Sequence, residues 1–301
     1  MKKVVLFIFI TISLLKGELN KDDIFKVNTA NIYKQINEYI KVKKILNNSS
    51  NENPDSKYKF LKEECNKNNN AVACAVYGEY LFEKKGIKQL GESYIKKSCD
   101  LNNEVGCAKL LQLKEKYEKN YNNKELLDKL CKIGNQPDMA GYGCFMLAKK
   151  YLETKGKTQQ GLNYLKRACF LKHQPSCYVL GILYYKGLST LPKDDEKAKK
   201  YIKKACDLGY ERACVFEIKM YAENKQIKQN EQRVLSIAKR TCDEFNNPKT
   251  CFIYAMIKLD DIVSQNKNTN NVSVPSEIVN YFQKSCNLGL EKACEILKSF
   301  K

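Results

Sequence analysis

Fourteen cysteines, a single histidine and the Ser-x-x-Lys runs that lie just before repeat cysteines are the residues of this 301-residue chain whose types and spacing could do chemistry. The runs are Ser93-Tyr-Ile-Lys96 and Ser236-Ile-Ala-Lys239. This is the spacing at which a lysine activates a nucleophilic serine, although no Ser-Asp-Asn or Lys-Thr-Gly accompanies either run. His173 is the one imidazole, so a site with several histidine ligands or a conventional zinc hydrolase is excluded in practice. Without His173 there is no Ser-His or Cys-His nucleophile. No Cys-x-x-Cys occurs, which leaves thiolate metal binding a poor runner-up to disulfides. No metal and no cofactor is expected.

The compartment decides what the cysteines do. Met1-Lys2-Lys3 is followed by an almost unbroken apolar run from Val4 to Leu15, too short to span a bilayer comfortably, and then by Lys16-Gly17-Glu18. This is the three-part pattern of a secretory signal peptide, assigned to residues 1–17. The expected location is secreted or periplasmic, with no membrane span. In such a compartment an even cysteine count reads as disulfides. The formal charge of +19 comes almost wholly from lysine; arginine appears only at Arg167, Arg212, Arg233 and Arg240. The lysines are dispersed among local acids, as on a solvated surface, and imply no specific nucleic-acid partner.

The cysteines also show what positions them. They fall into close pairs: Cys65/Cys74, Cys99/Cys107, Cys131/Cys144, Cys169/Cys177, Cys206/Cys214, Cys242/Cys251 and Cys286/Cys294. First members recur at intervals of 34, 32, 38, 37, 36 and 44 residues, a period that marks stacked helical hairpins. Tyr94, Tyr164, Tyr201 or Tyr281 stands five before the first Cys. Gly134, Gly209 or Gly289 follows as a helix stop, and Glu104, Glu211 or Glu291 opens the next helix. The small residues Gly78, Ala148, Gly181 and Ala255 stand four after the second Cys, on a closely packed helix face. Each unit therefore reads as helix A, loop, helix B. In residues 175–209, helix A is expected over 176–186 and helix B over 196–208. A bond within each pair would clip the turn between helix B and the next helix A.

The stretch from Cys177-Tyr-Val-Leu-Gly through Lys197 to Ala205-Cys206-Asp-Leu-Gly resembles the Sel-like repeat, a relative of the tetratricopeptide repeat. One cysteine pair per unit behind a signal peptide resembles the Helicobacter cysteine-rich protein family over residues 58–301. The expected fold is all-α, a right-handed α/α solenoid of helix-turn-helix Sel-like repeats clipped by disulfides. Residues 18–57 are expected to form a capping helix and a loop, and the end of the chain a C-terminal capping helix. The chain departs from the pattern at the widely spaced Cys131/Cys144 and at an Asn-rich insertion over 260–276.

The resemblance implies penicillin binding and slow β-lactam hydrolysis. The repeat explains the lysines of both Ser-x-x-Lys runs, since Lys166 and Lys203 occupy the position of Lys96 and Lys239. The serines have no such echo, so Ser93 and Ser236 are the weak catalytic candidates. His173, in Lys172-His173-Gln174-Pro175, reads as a solvated loop residue. The 19 tyrosines are the stronger lead, because a concave surface lined by helix A suits extended peptides. Tyr151, Tyr184, Tyr185 and Tyr221 are the groove candidates. Three functions are weighed. The first is a monomeric, exported scaffold that binds a protein or peptide ligand through its concave face. The second is a protein acting on β-lactams or peptidoglycan fragments, and the third is electrostatic binding to polyanions.

Overall fold

The computed structural model describes residues 54–300 apart from 119–120, 135, 189 and 266–272, together with Glu38 and Val42, which are helical. The expected signal peptide, most of the capping helix and loop, and part of the Asn-rich insertion lie outside the described residues.

The described residues form 14 α-helices in strict alternation and no β-strand. The B helices are α1 (Pro54–Asn68), α3 (Lys88–Asp100), α5 (Lys124–Ile133), α7 (Thr158–Phe170), α9 (Asp195–Asp207), α11 (Glu231–Phe245) and α13 (Ser276–Asn287). The A helices are α2 (Ala71–Glu79), α4 (Glu104–Tyr117), α6 (Tyr142–Leu152), α8 (Gln174–Lys186), α10 (Glu211–Glu223), α12 (Pro248–Gln265) and α14 (Glu291–Ser299). Helices in the best-read repeat fall within two residues of expectation. The chain divides into two compact units, Met1–Ser176 and Cys177–Lys301.

Each B helix ends at a cysteine that is tied to the start of the following A helix. The bonds Cys65–Cys74, Cys99–Cys107 and Cys131–Cys144 lie in the first unit, and Cys206–Cys214, Cys242–Cys251 and Cys286–Cys294 in the second. Their Cα atoms lie 4.4–4.9 Å apart, inside ordinary disulfide geometry. Cys169 and Cys177 are disulfide-bonded as well.

Local chemistry sets the turns between these helices. The backbone crosses into the left-handed region after six of the seven B helices, at Asn69, Asn102, Lys172, Gly209, Asn246 and Gly289. Such a residue terminates a helix by redirecting the chain while its last carbonyls stay bonded. Asn70 and Asn103, both buried, then accept hydrogen bonds from Ala73 N at 3.0 Å and Gly106 N at 2.8 Å as N-caps. Gly134 ends its helix as expected, but with an extended backbone and no left-handed turn: its φ is −93° and its ψ 167°. A Cβ there would lie 2.3 Å from Glu104 Oε1, so it is glycine because a carboxylate passes against it.

The core follows from the repeat. In the first unit, Cys99, Cys107, Leu110, Leu127, Leu130, Cys131, Cys144, Leu147 and Ala168 share one buried cluster. In the second, Ala255, Ile278, Phe282 and Ala293 form another. The expected small positions Gly78, Ala148 and Ala255 are buried.

Two inter-repeat staples recur that the cysteine register does not announce. Two residues before its first cysteine, a B helix carries a cation that reaches the previous B helix. Lys97 donates to Cys65 O at 2.9 Å, Arg240 to Cys206 O at 2.8 Å and Lys284 to Cys242 O at 2.8 Å. A cation at a helix C-terminus satisfies an orphan carbonyl and opposes the dipole. At the other end of the turn, Glu38 accepts from Ala71 N at 3.2 Å, and Glu211 from Asn247 Nδ2 at 2.8 Å. Glu104 accepts from Gln136 N at 2.9 Å and Ala140 N at 3.1 Å. These carboxylates bind the turn that opens the next A helix.

Candidate functional site

Neither Ser-x-x-Lys run is assembled for acyl transfer. Ser93 is exposed on α3 and its hydroxyl donates to Leu90 O at 2.7 Å, inside its own helix. Lys96 Nζ turns to Asp100 at 2.9 Å. Ser236 is exposed on α11. Lys239 Nζ donates to the Tyr281 hydroxyl at 2.8 Å and lies over the Tyr254 and Tyr281 rings. That hydrogen bond raises the Lys239 pKa, the direction opposite to what a general base needs.

The tyrosine candidates divide between the two units. Tyr151 in the first stacks on Tyr164 with ring centroids 5.4 Å apart, under the Lys124 ammonium. Tyr184 is buried and stacks on Tyr201, so it packs two helices together and presents little surface. Tyr185 donates to Glu223 Oε2 at 2.7 Å and meets Phe216 edge-on. Tyr221 lines a small cleft of about 190 Å³ with Lys199, Lys200 and Lys203. Beside it, Glu217 holds Arg233 by a pair of hydrogen bonds at 3.0 and 2.9 Å, which raises the guanidinium pKa further.

His173 is a correction. It is not a solvated loop residue: it is half-buried, its Nδ1 lies 2.8 Å from Ser176 Oγ, and its ring packs on Phe145. Burial pushes its pKa below the ordinary value, against the opposing pull of the Asp138 carboxylate. The cause is the long connection between Cys131 and Cys144. It folds into a π-helical turn, Pro137–Gly141, whose Gly141 comes against the His173 side chain.

That same turn makes the largest of the three described clefts, about 540 Å³. One wall is the outer face of α4, where Val105, Ala108, Lys109, Gln112 and Glu115 follow one another at helical spacing. The other is the turn and the start of α6, with Asp138, Met139 and Tyr142. Leu111 and Leu130 form the buried floor. Val105 and Tyr142 are exposed large hydrophobics, 40% and 37% accessible. Burial, with the Glu115 carboxylate nearby, raises the Tyr142 pKa and keeps its phenol a neutral donor. The support beneath is polar: Glu104 is buried, binds two backbone N–H groups of the turn, and faces the buried cation of Arg167. The cleft thus joins consecutive A helices, with an apolar centre and a rim of both charges. Among the described residues no group of three His, Cys, Asp or Glu could hold a metal ion. The residues that line the cleft include no nucleophile–base pair.

This architecture can be set beside known proteins. The Sel1 repeat profile matches residues 174–210. That stretch is a Sel1 repeat. Sequence similarity extends to cytochrome c oxidase assembly factor 7A of Xenopus laevis, 31% identical over 81 residues, 27% of this chain and 35% of the relative. Cytochrome c oxidase assembly factor 7 of Xenopus tropicalis is 25% identical over 125 residues, 35% of this chain and 54% of the relative. A protective antigen of uropathogenic Escherichia coli strains, which displays an SLR fold, superimposes with a TM-score of 0.53 at 15% identity. That match covers 80% of this chain and 50% of the antigen. Cysteine-rich protein B of Helicobacter pylori is 31% identical, covering 44% of this chain and 96% of its own, with a TM-score of 0.32. The chain spans about a third and about half the length of the two curated relatives it matches. It shares its repeat fold with the antigen.

Proposed function

We propose that this protein is an exported, disulfide-stabilised scaffold that binds an extended protein or peptide segment along the exposed faces of its A helices. The observation that carries the reading is the cleft between α4 and the Pro137–Gly141 turn. It pairs the exposed apolar anchors Val105 and Tyr142 and the half-buried Met139 with polar groups at Lys109, Gln112, Glu115 and Asp138. Peptide sites are built in this way, from an apolar centre that gives affinity and a polar rim that gives register. Both walls are fixed in advance: Cys99–Cys107 holds the start of α4, and Cys131–Cys144 closes the loop that bears the turn. A preorganised site spends less ordering entropy on binding.

Export rests on two supports. Residues 1–17 have the signal-peptide pattern, and a chain whose cysteines are all disulfide-bonded belongs in an oxidising compartment. No described helix is long and apolar enough to cross a membrane. Acyl transfer to a β-lactam gains no support from the placement of Ser93, Lys96, Ser236 or Lys239.

The test is selection of peptides from a displayed random library on the oxidised protein. Affinities of the enriched peptides are then measured for the wild type and for Val105→Asp/Met139→Asp. The proposal expects enriched sequences with apolar anchors and a loss of at least about tenfold in the double variant. No enrichment, or equal affinity for the variant, would overturn it.

A further inference from the structure

The α4 cleft carries an exposed carboxylate towards each end. Glu115 lies near the C-terminal end of α4 and accepts a hydrogen bond from Asn123 Nδ2 on Oε1 at 2.7 Å, which leaves acceptor capacity on the carboxylate. Asp138 lies towards the Val105 end, because Glu104 at the start of α4 pins the turn that bears it. Among the described residues neither carboxylate belongs to an ion pair. Asp138 acts on His173, but burial favours the neutral form of that imidazole. Lys109, by contrast, is paired with Glu79. On the facing wall Tyr142 is exposed, and among the described residues no ring or cation stacks on it. Burial, and after it the Glu115 carboxylate, raises the Tyr142 pKa, so phenol and carboxylate are close enough to act on one another.

We infer that the α4 cleft takes a basic peptide segment, in which two cationic side chains flank an apolar one. The inference rests on the reading of this cleft as a peptide site and names the ligand's charge. One cation, an arginine, lies between the Glu115 carboxylate and the Tyr142 ring; the second meets Asp138; the apolar side chain between them rests on Val105 and Met139. A guanidinium suits the Glu115 end better than an ammonium, because it is planar, hydrogen-bonds a carboxylate and stacks on an aromatic face. The geometry also sets the spacing. Val105 and Glu115 stand ten residues apart on one helix, about 15 Å along its axis. An extended peptide covers that length in roughly four or five residues. The net charge of +19 draws acidic chains from a distance, but an acidic segment would meet two carboxylates at contact. The dispersed lysines act through salt that screens over about 8 Å, whereas a side chain seated in the cleft touches Glu115 or Asp138 directly.

The test selects displayed random dodecapeptides on the full oxidised chain, on Glu115→Gln/Asp138→Asn and on Glu244→Gln/Glu295→Gln. The first variant is isosteric and keeps an acceptor for Asn123; the second removes the same charge at exposed positions outside the lining. The wild type and the second variant are expected to enrich peptides with arginine or lysine on both sides of an apolar residue, and the first variant to lose that preference. The best wild-type peptide is then made with citrulline for arginine, which keeps the shape and removes the charge. Its affinity for the wild type is expected to fall at least about tenfold, and for Glu115→Gln/Asp138→Asn less than about threefold. Enriched peptides that are acidic or lack basic residues, or equal citrulline losses on the wild type and Glu115→Gln/Asp138→Asn, overturn the inference. If Val105→Asp/Met139→Asp still weakens such peptides, the peptide site itself stands and only its charge preference has failed. No enrichment, or unchanged affinity for Val105→Asp/Met139→Asp, overturns both.

Discussion

At the scale of single residues, Glu104 has more dependents than any surface charge. It is buried, accepts two backbone N–H groups of the 136–140 turn, passes against Gly134 and offsets the buried Arg167 cation. Removing one member of such a set leaves donors and a charge without compensation. Glu104→Ala is expected to destabilise the protein by roughly 3 kcal/mol, read from denaturant melts of the oxidised chain. Gly134→Ala should also destabilise, because the added methyl meets that carboxylate. A loss under about 1 kcal/mol in Glu104→Ala would contradict this account. Glu104 was visible in the sequence as an acid at a helix start, but its partners lie 32 and 36 residues further on, beyond any local pattern.

His173 gives a pH prediction with a definite sign. Its folded pKa is depressed by burial, so the unfolded chain takes up a proton first as pH falls. Its contribution is full above the unfolded value near 6.5 and is lost as pH falls through that value toward the lower folded one. In His173→Asn the stability slope between pH 7 and 5 should be shallower than in the wild type. A steeper slope in the variant would show the opposite shift.

At the scale of elements, the disulfide clip and the cation staple divide the labour. The clip closes each B-to-A turn, and the staple fastens one B helix to the next. Lys97 and Lys284 are half-buried at helix ends, and each donates to a cysteine carbonyl of the previous repeat. Lys97→Met and Lys284→Met should each cost about 1 kcal/mol, whereas Lys203→Met, in an exposed i,i+4 pair with Asp207, should change stability by under about 0.5 kcal/mol. Equal effects at all three would remove the staple's special standing. The cysteine period and the residues around it made the alternation of helices legible, because local stops and caps are written next to each cysteine. The two π-helical turns, Tyr80–Lys84 and Pro137–Gly141, were not legible. No residue type marks a π turn, and the α4 cleft is built on one. Only the wide spacing of Cys131 and Cys144 pointed to either.

At the scale of the whole molecule, stability comes from repeated short contacts, and the cross-links carry a large share of it. Closing a loop of eight or nine residues is worth roughly 2.5 kcal/mol on the chain-entropy model. The intact oxidised chain should weigh 14 hydrogens less than the same chain after complete reduction, one for each of its 14 cysteines. A mass equal to the reduced form would defeat the clipped-repeat account. Reduction should also lower the melting temperature and abolish peptide binding at the α4 cleft, since both of its walls rest on disulfides. The net charge of +19 favours solubility and biases association toward acidic partners.

The central claim is that the outer face of α4 and the turn before α6 form a recognition site. The most direct measurement is amide hydrogen exchange on the oxidised protein, with and without a saturating library-selected peptide. Slowed exchange concentrated in residues 104–115 and 136–145 is the predicted result. Unchanged exchange there, with protection confined to other repeats, would contradict it.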